Sequence, residues 1–423
     1  MPYFLLMTRF FTVLFLISAN LLLMAAERVT ITVNNPLAVE RRNEMVEIDI
    51  SKLNCLDGTG NGFLVTDSNG NEIVSQVTYD GKLIFSVSVG ARGKQCFYVT
   101  KGTPKPYAPK VYGRQYPERV DDIAWENDLV AFRCYGPALQ RSGERAWGYD
   151  VLNKRSAELV IEQRYALALD KEVASVCAKL RKAGQGDVAD DVSNAVSYHV
   201  DHGNGMDCYR VGPTLGCGTD ALIVGGEIVY PKCYSSYEML DNGPLRFTVR
   251  LEFAPVEIGE SEVREVRVIS LDAGSQRNKA VVSFEGLAEP MPLAAGLVVH
   301  SDNAEAYVAD GAKGYIGYED LGDKQLYSKK YSHQTADFGK IYVGAVCGKG
   351  FETAEFRAID NVGGTSGHVL GINVYQPMAL YEYYFGTGWS RNPATTFASL
   401  DHWQNYLEQF AERLRKPLKI SVK

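Results

Sequence analysis

The chain has 423 residues, 46% of them hydrophobic and 22% charged, with 44 Lys and Arg against 51 Asp and Glu. These ordinary fractions exclude a disordered chain, a collagen and a polytopic membrane protein. The formal charge of −7 excludes a dedicated nucleic-acid binder, which needs a basic surface.

Residues 1–26 hold one charge, Arg9, followed by an apolar run that ends at Ala25-Ala26. This pattern predicts a secretory signal peptide and a periplasmic or secreted protein, free of the membrane once the leader is cleaved. Export permits disulfides. Cys55 with Cys96 and Cys208 with Cys217 are the candidate pairs, and buried free thiols are the alternative for each.

Residues 27–101 alternate apolar and polar positions in short runs such as Val29-Ile31-Val33 and Leu83-Phe85-Val87, separated by turn signals such as Tyr79-Asp80-Gly81. They predict a small N-terminal β-sandwich domain. The Pro-containing segment 102–122 reads as an extended linker. From 123 to 423 strand patterns recur with few helices between them, which predicts a large antiparallel β-supersandwich and an all-β fold. Two helices are expected, over 171–182 and 400–416. The second starts from Ser399 as N-cap, carries a stripe of Trp403, Tyr406, Leu407, Phe410 and Leu414, and stops at Pro417.

Segment 197–220, SYHVDHGNGMDCYRVGPTLGCGTD, is the densest in reactive groups. If 197–201 is extended, His199 and Asp201 share one face and His202 points away, so the two His converge only if the chain turns. His199 and His202 are candidate general bases, and with Asp201 they are candidate ligands for a Ca²⁺ or Zn²⁺. Tyr209 is a candidate proton donor if a nearby cation depresses its pKa, and Arg210 a fork for a carboxylate. No cofactor is required. Together these groups match β-elimination from a uronic acid, which needs a neutralised carboxylate, a base and an acid.

A second segment, 121–154, mixes rings with polar groups as sugar sites do. Glu126, Asn127, Arg133, Trp147 and Tyr149 are its candidate substrate-binding residues. His300 ends an apolar strand and faces a possible cleft. Tyr384 and Trp389 in YEYYFGTGW are candidate cleft walls. His333, His368 and His402 are read as structural. The sequence lacks a dinucleotide-binding GxGxxG unit, a P-loop, HExxH and GxSxG.

The segments DDIAWENDLVAFRCYGPAL, SYHVDHGNGMDCYRVGPTLGCG, SLDAGSQRN and YYFGTGW with its helix resemble the bacterial family catalogued as domain of unknown function 4861, over nearly the whole mature chain. The resemblance implies a galactose-mutarotase-like supersandwich and an exported protein of a Bacteroidetes polysaccharide-utilisation system. It also implies dehydration of uronic-acid-terminated oligosaccharides such as those of ulvan. The expected function is therefore a carbohydrate-active dehydratase or lyase with an oligosaccharide substrate and no nucleic-acid partner. The alternatives are a glycoside hydrolase using a pair from Glu126, Asp201 and Asp207, a non-catalytic glycan binder, and a mutarotase-like epimerase.

Overall fold

The computed structural model describes residues 28–53, 56, 62–323, 338–360, 363–395 and 397–423. The leader 1–26, Cys55 and His333 lie outside them. The fold is all-β, with antiparallel sheets and a few helices, as expected.

The chain divides into two compact units. The first holds the described residues up to Tyr107 together with Leu418–Lys423. Alternation builds it: in the strand Arg28–Asn34, Val29, Ile31 and Val33 are buried. A five-stranded sheet runs 419–422, 28–34, 94–101, 63–66, 72–73, and a three-stranded sheet runs 41–49, 82–89, 75–77. Their inner faces share one apolar core that includes Val46, Ile48, Phe85 and Phe97. The sheet is closed by the strand Lys419–Val422, which pairs antiparallel with Arg28–Asn34. The second unit, Ala108–Pro417, is thus inserted within the first.

The second unit contains a nine-stranded sheet that includes the strands Ser261–Asp272, Arg277–Glu285, Tyr315–Asp320, Ile341–Val346 and Tyr381–Trp389. A five-stranded sheet runs 227–228, 217–224, 291–300, 365–375, 353–358. The two sheets come very close at Gly218, where φ is +84° and a Cβ would sit 2.5 Å from that of Phe385. Only glycine fits such a contact. A four-stranded sheet runs 150–151, 131–134, 122–127, 111–116. The segment 102–122 is therefore not all linker, since Val111–Tyr116 is a strand paired with Asp122–Asn127.

The helix Lys171–Lys182 forms as expected, with the Asp170 carboxylate accepting from the N–H groups of Glu172 and Val173. Three further helices, Pro137–Arg141, Ile161–Ala168 and Gly186–Val196, were not expected. The last helix, Leu400–Arg415, starts from Ser399 and buries Trp403, Leu407 and Phe410 against Tyr315 and Tyr342. Trp403 also donates from Nε1 to the Val343 carbonyl at 2.9 Å. No helix among the described residues is long and apolar enough to cross a membrane.

Deleting the fully buried Trp403 ring removes a large apolar volume and orphans the Val343 carbonyl. Trp403→Ala should cost about 3–5 kcal/mol in chemical denaturation, against about 1 kcal/mol for the cap variant Ser399→Ala. Equal costs would mean that the helix does not dock through this ring.

Candidate functional site

Two strands from different sheets end beside each other. His300 is the last residue of Met291–His300, and Asp320 the last of Tyr315–Asp320. Their side chains meet, His300 Nδ1 to Asp320 Oδ2, at 2.5 Å. The other Asp320 oxygen accepts from the Gly322 N–H at 2.6 Å. A carboxylate on Nδ1 places a proton there and leaves Nε2 as the basic nitrogen. That Nε2 is buried and has no hydrogen-bond partner among the described residues.

The segment Asp207–Arg210 threads past this dyad. The Tyr209 ring lies edge-on to the His300 ring, with centroids 6.3 Å apart, and its hydroxyl is buried without a partner. Burial pushes this phenol well above its usual pKa, and Cys217, Asp320, Tyr318 and Asp150 push it further. The expected cation-depressed Tyr209 is therefore corrected: it stays a neutral donor. Arg210 contacts Asp323 only loosely, at 3.6 Å, and its buried Nε is unpartnered. A Cβ on Gly364 would lie 2.9 Å from Arg210 Nη2, so the guanidinium rests against that turn. The Gly364 carbonyl in turn accepts from the Ser301 N–H, next to His300. The adjacent Tyr209 and Arg210 and the sequence-distant His300 therefore share one end of the supersandwich.

Arg133 lies in a neighbouring cluster. Its guanidinium binds Asp150 through Nε at 2.9 Å and Asp207 through Nη2 at 3.0 Å. Tyr135 donates to the same Asp150 oxygen at 2.9 Å. Burial raises the Asp150 pKa, with Arg133 opposing. Through Nε and Nη2, Arg133 thus neutralises carboxylates of the protein itself.

The remaining expectations divide in the same way. The stretch 197–200 turns instead of extending, so strand alternation does not govern the two His. His199 Nδ1 meets the Asp207 carbonyl at 2.9 Å, and the exposed His202 meets the Ser197 carbonyl at 3.1 Å. Asp201 pairs with Arg155 at 3.1 Å and Arg391 at 3.2 Å and accepts from the Gly203 and Gly205 N–H groups. His199, Asp201 and His202 do not form a metal-ligand cluster, and no such cluster occurs among the described residues.

Glu126 is buried against Lys154 at 2.6 Å and accepts from the N–H groups of Val160 and Ile161 at the start of a helix. Asn127 donates to the carbonyls of Asp272 and Ser275 and accepts from Leu129 and Val130. Tyr149 stacks on Phe385 at 4.3 Å and meets Arg267 through its hydroxyl. Tyr384 packs edge-on against Phe410 of the last helix, and Trp389 is buried with Nε1 on the Phe338 carbonyl. All five are structural rather than substrate-facing, which corrects the expectation for each. Trp147 is half-buried and leans on Tyr230 at 5.3 Å. Cys208 and Cys217 are both free thiols, as is Cys96.

Sequence reasoning missed Asp320 and Asp150. Asp320 does end the readable strand Tyr315–Asp320, and that was its one local signal. Asp150 lies on a two-residue strand with no pattern to read.

Comparison with known proteins follows from this geometry. A family model described as "Domain of unknown function (DUF4861)" matches residues 33–420. Uncharacterized protein P7 of Formosa agariphila is 26% identical over 415 residues, covering 94% of each chain. Two solved structures from Enterococcus faecalis, an alpha-mannosidase and a protein in the glycosyl hydrolase family 38, match at TM-scores of 0.46 and 0.45 with 8% identity. They cover 94% of this chain, which spans about half of their length, 46% and 47%.

Two expected outcomes test this account. Glu126→Gln leaves the Lys154 ammonium buried without its anion and should cost about 3–5 kcal/mol, read by denaturant titration; a neutral effect would reopen a functional role for Glu126. His368, buried beside Leu215, has its pKa lowered to about 4 by burial, with His300 and Arg357 adding to it. A depressed His contributes stability above its unfolded value near 6.5 and loses it as pH falls towards 4. His368→Gln should therefore show a smaller fall in Tm between pH 7 and pH 4.5 than the parent, and an identical fall would exclude this linkage.

Proposed function

The chain belongs to the DUF4861 family, and from that premise we propose that it is an exported enzyme of β-elimination, a dehydratase or lyase acting on uronic-acid-containing oligosaccharides. One observation carries the reading. His300 Nε2, the Tyr209 hydroxyl and Arg210 Nε are all buried and unpartnered at one end of the supersandwich. Buried polar atoms are normally satisfied, so orphans gathered from a loop and a strand end support a ligand that satisfies them.

The chemistry follows from their types. Arg210, a quarter exposed and 3.6 Å from Asp323, takes the substrate carboxylate in this reading. Neutralising that carboxylate acidifies the adjacent C–H. His300 Nε2 takes the proton while Asp320 holds Nδ1–H and stabilises the imidazolium. The electron pair left on carbon forms the new C=C bond, and the bond to the β-oxygen breaks. The same Nε2–H then protonates the departing oxygen, so protons and electrons balance without a cofactor. The neutral Tyr209 hydroxyl donates to a substrate oxygen. His300 is buried, so substrate must part the side chains that cover Nε2.

Hydrolysis by paired carboxylates has less support. Glu126, Asp201 and Asp207 are each held in ion pairs with Lys154, with Arg155 and Arg391, and with Arg133.

The test is incubation of the protein with a panel of uronic-acid oligosaccharides, followed by mass spectrometry with ultraviolet detection. New absorbance with loss of one water means dehydratase, and new absorbance with chain cleavage means lyase. His300→Gln should lower the rate by about 10²–10⁴-fold while leaving Tm close to the parent value. Cleavage without absorbance, no reaction across the panel, or a fully active His300→Gln would overturn the proposal.

A further inference from the structure

A second group of orphaned polar atoms lies on the other side of residues 207–209. Arg133 Nη1, Asp122 Oδ2 and the Tyr165 hydroxyl are all buried, and none has a hydrogen-bond partner among the described residues. Asp122 approaches the cations around it only at ion-pair range, 3.7 Å from Arg119 and 3.8 Å from Arg133. Burial raises the Tyr165 pKa, with Arg133 opposing and Asp122 adding to it, which fits a common centre. Above them lie two half-buried groups. Arg119 Nε donates to the Tyr198 hydroxyl at 3.0 Å, and the Tyr198 ring sits 5.4 Å from Tyr165 and 4.5 Å from His199.

The backbone is strained to build this arrangement. Val120 and Asp121 both adopt left-handed conformations, with φ of +47° and +65°. A β-branched residue rarely does so, and such strain persists only where the surroundings enforce it. Here Leu139 N–H binds the Val120 carbonyl and the Tyr234 hydroxyl binds that of Asp121. Gly136 packs so tightly that a Cβ there would lie 2.1 Å from the Asp121 oxygen. The turn aims Arg119 and Asp122 at one place.

We infer that Arg119, Asp122, Arg133, Tyr165 and Tyr198 form a second sugar subsite, which takes a neutral ring next to the uronic residue that reacts. The inference rests on the elimination reading for the identity of that neighbouring ring. The chemistry selects the ligand class. An arginine donor, a phenol that donates or accepts and a carboxylate acceptor match hydroxyl groups or a water that relays to them. An anionic ring would meet Asp122, Asp150 and Asp207 together, three carboxylates against two guanidinium groups. The half-exposed Tyr198 ring offers a face for sugar C–H groups. The subsite adjoins the dyad because Asp207 binds Arg133 on one side while Tyr209 faces His300 on the other.

The test separates binding from turnover by using the His300→Gln protein. Calorimetric titration compares glucuronic acid with glucuronosyl-glucose. The disaccharide should bind at least tenfold more tightly. Tyr165→Phe and Arg119→Ala, added singly, should each erase most of that gain and leave glucuronic acid affinity unchanged. Because the Tyr165 hydroxyl has no protein partner, Tyr165→Phe should hold its Tm, so a loss of binding reports the subsite and not the fold. No gain from the second ring, or a gain that survives both substitutions, overturns the inference. If the parent eliminates uronic substrates yet shows no second-ring gain, the subsite alone fails. If the parent eliminates none but binds the disaccharide in a Tyr165-dependent manner, the elimination reading fails and the subsite stands.

Discussion

The reactive end of this protein depends on one buried cation. Arg133 lies on a four-residue strand, and its guanidinium holds Asp150 from the next strand and Asp207 from the loop that carries Tyr209 and Arg210. A buried guanidinium is tolerated only when carboxylates surround it, so the three elements cannot part without exposing an uncompensated charge. Asp207 is thereby fixed, and the two residues that follow Cys208 are delivered to His300. Through Nε and Nη2, Arg133 thus positions the elements around it.

The same device recurs through the large unit. Glu126 and Lys154 close a strand onto a helix start, and Arg267 sits between Asp220 and Glu265 in the core, with Tyr149 on its far side. Each such pair is costly to bury, so it fixes one arrangement of elements more than it adds to stability. The network is not complete everywhere, and at one end of the supersandwich it leaves His300, Tyr209 and Arg210 atoms without partners.

The fold was legible because strand alternation and the last helix's stripe are local signals. Val29-Ile31-Val33 and the Ser399–Pro417 frame were sufficient to place those elements. The site was legible only in part. His300, Tyr209 and Arg210 were singled out, but the side chain that meets His300 Nδ1 is Asp320, which belongs to another sheet, and no spacing in the sequence joins them. Glu126 misled because an acidic residue among aromatic rings looks the same whether it faces a sugar or caps a helix; only Lys154 and the Val160 and Ile161 amides decide. His199 and His202 misled because the segment turns after the helix Gly186–Val196, which the extended reading of 197–201 did not include.

The insertion of the large unit within the small one has a topological consequence. The chain passes between the two units twice, once near Tyr107 and again near Pro417. A cut near Tyr107 therefore leaves the strands before it held only by non-covalent contacts, among them the pairing of Arg28–Asn34 with Lys419–Val422, whereas a cut near Pro417 leaves both units joined through the other passage. At the closing pair of strands, Thr30 exchanges hydrogen bonds with Lys423, so Arg28 and the end of the last strand lie at the same edge. Tension applied across those two points would peel the pair apart one bond at a time instead of shearing several at once. The closure is thus non-covalent, and weakest to a pull at that edge.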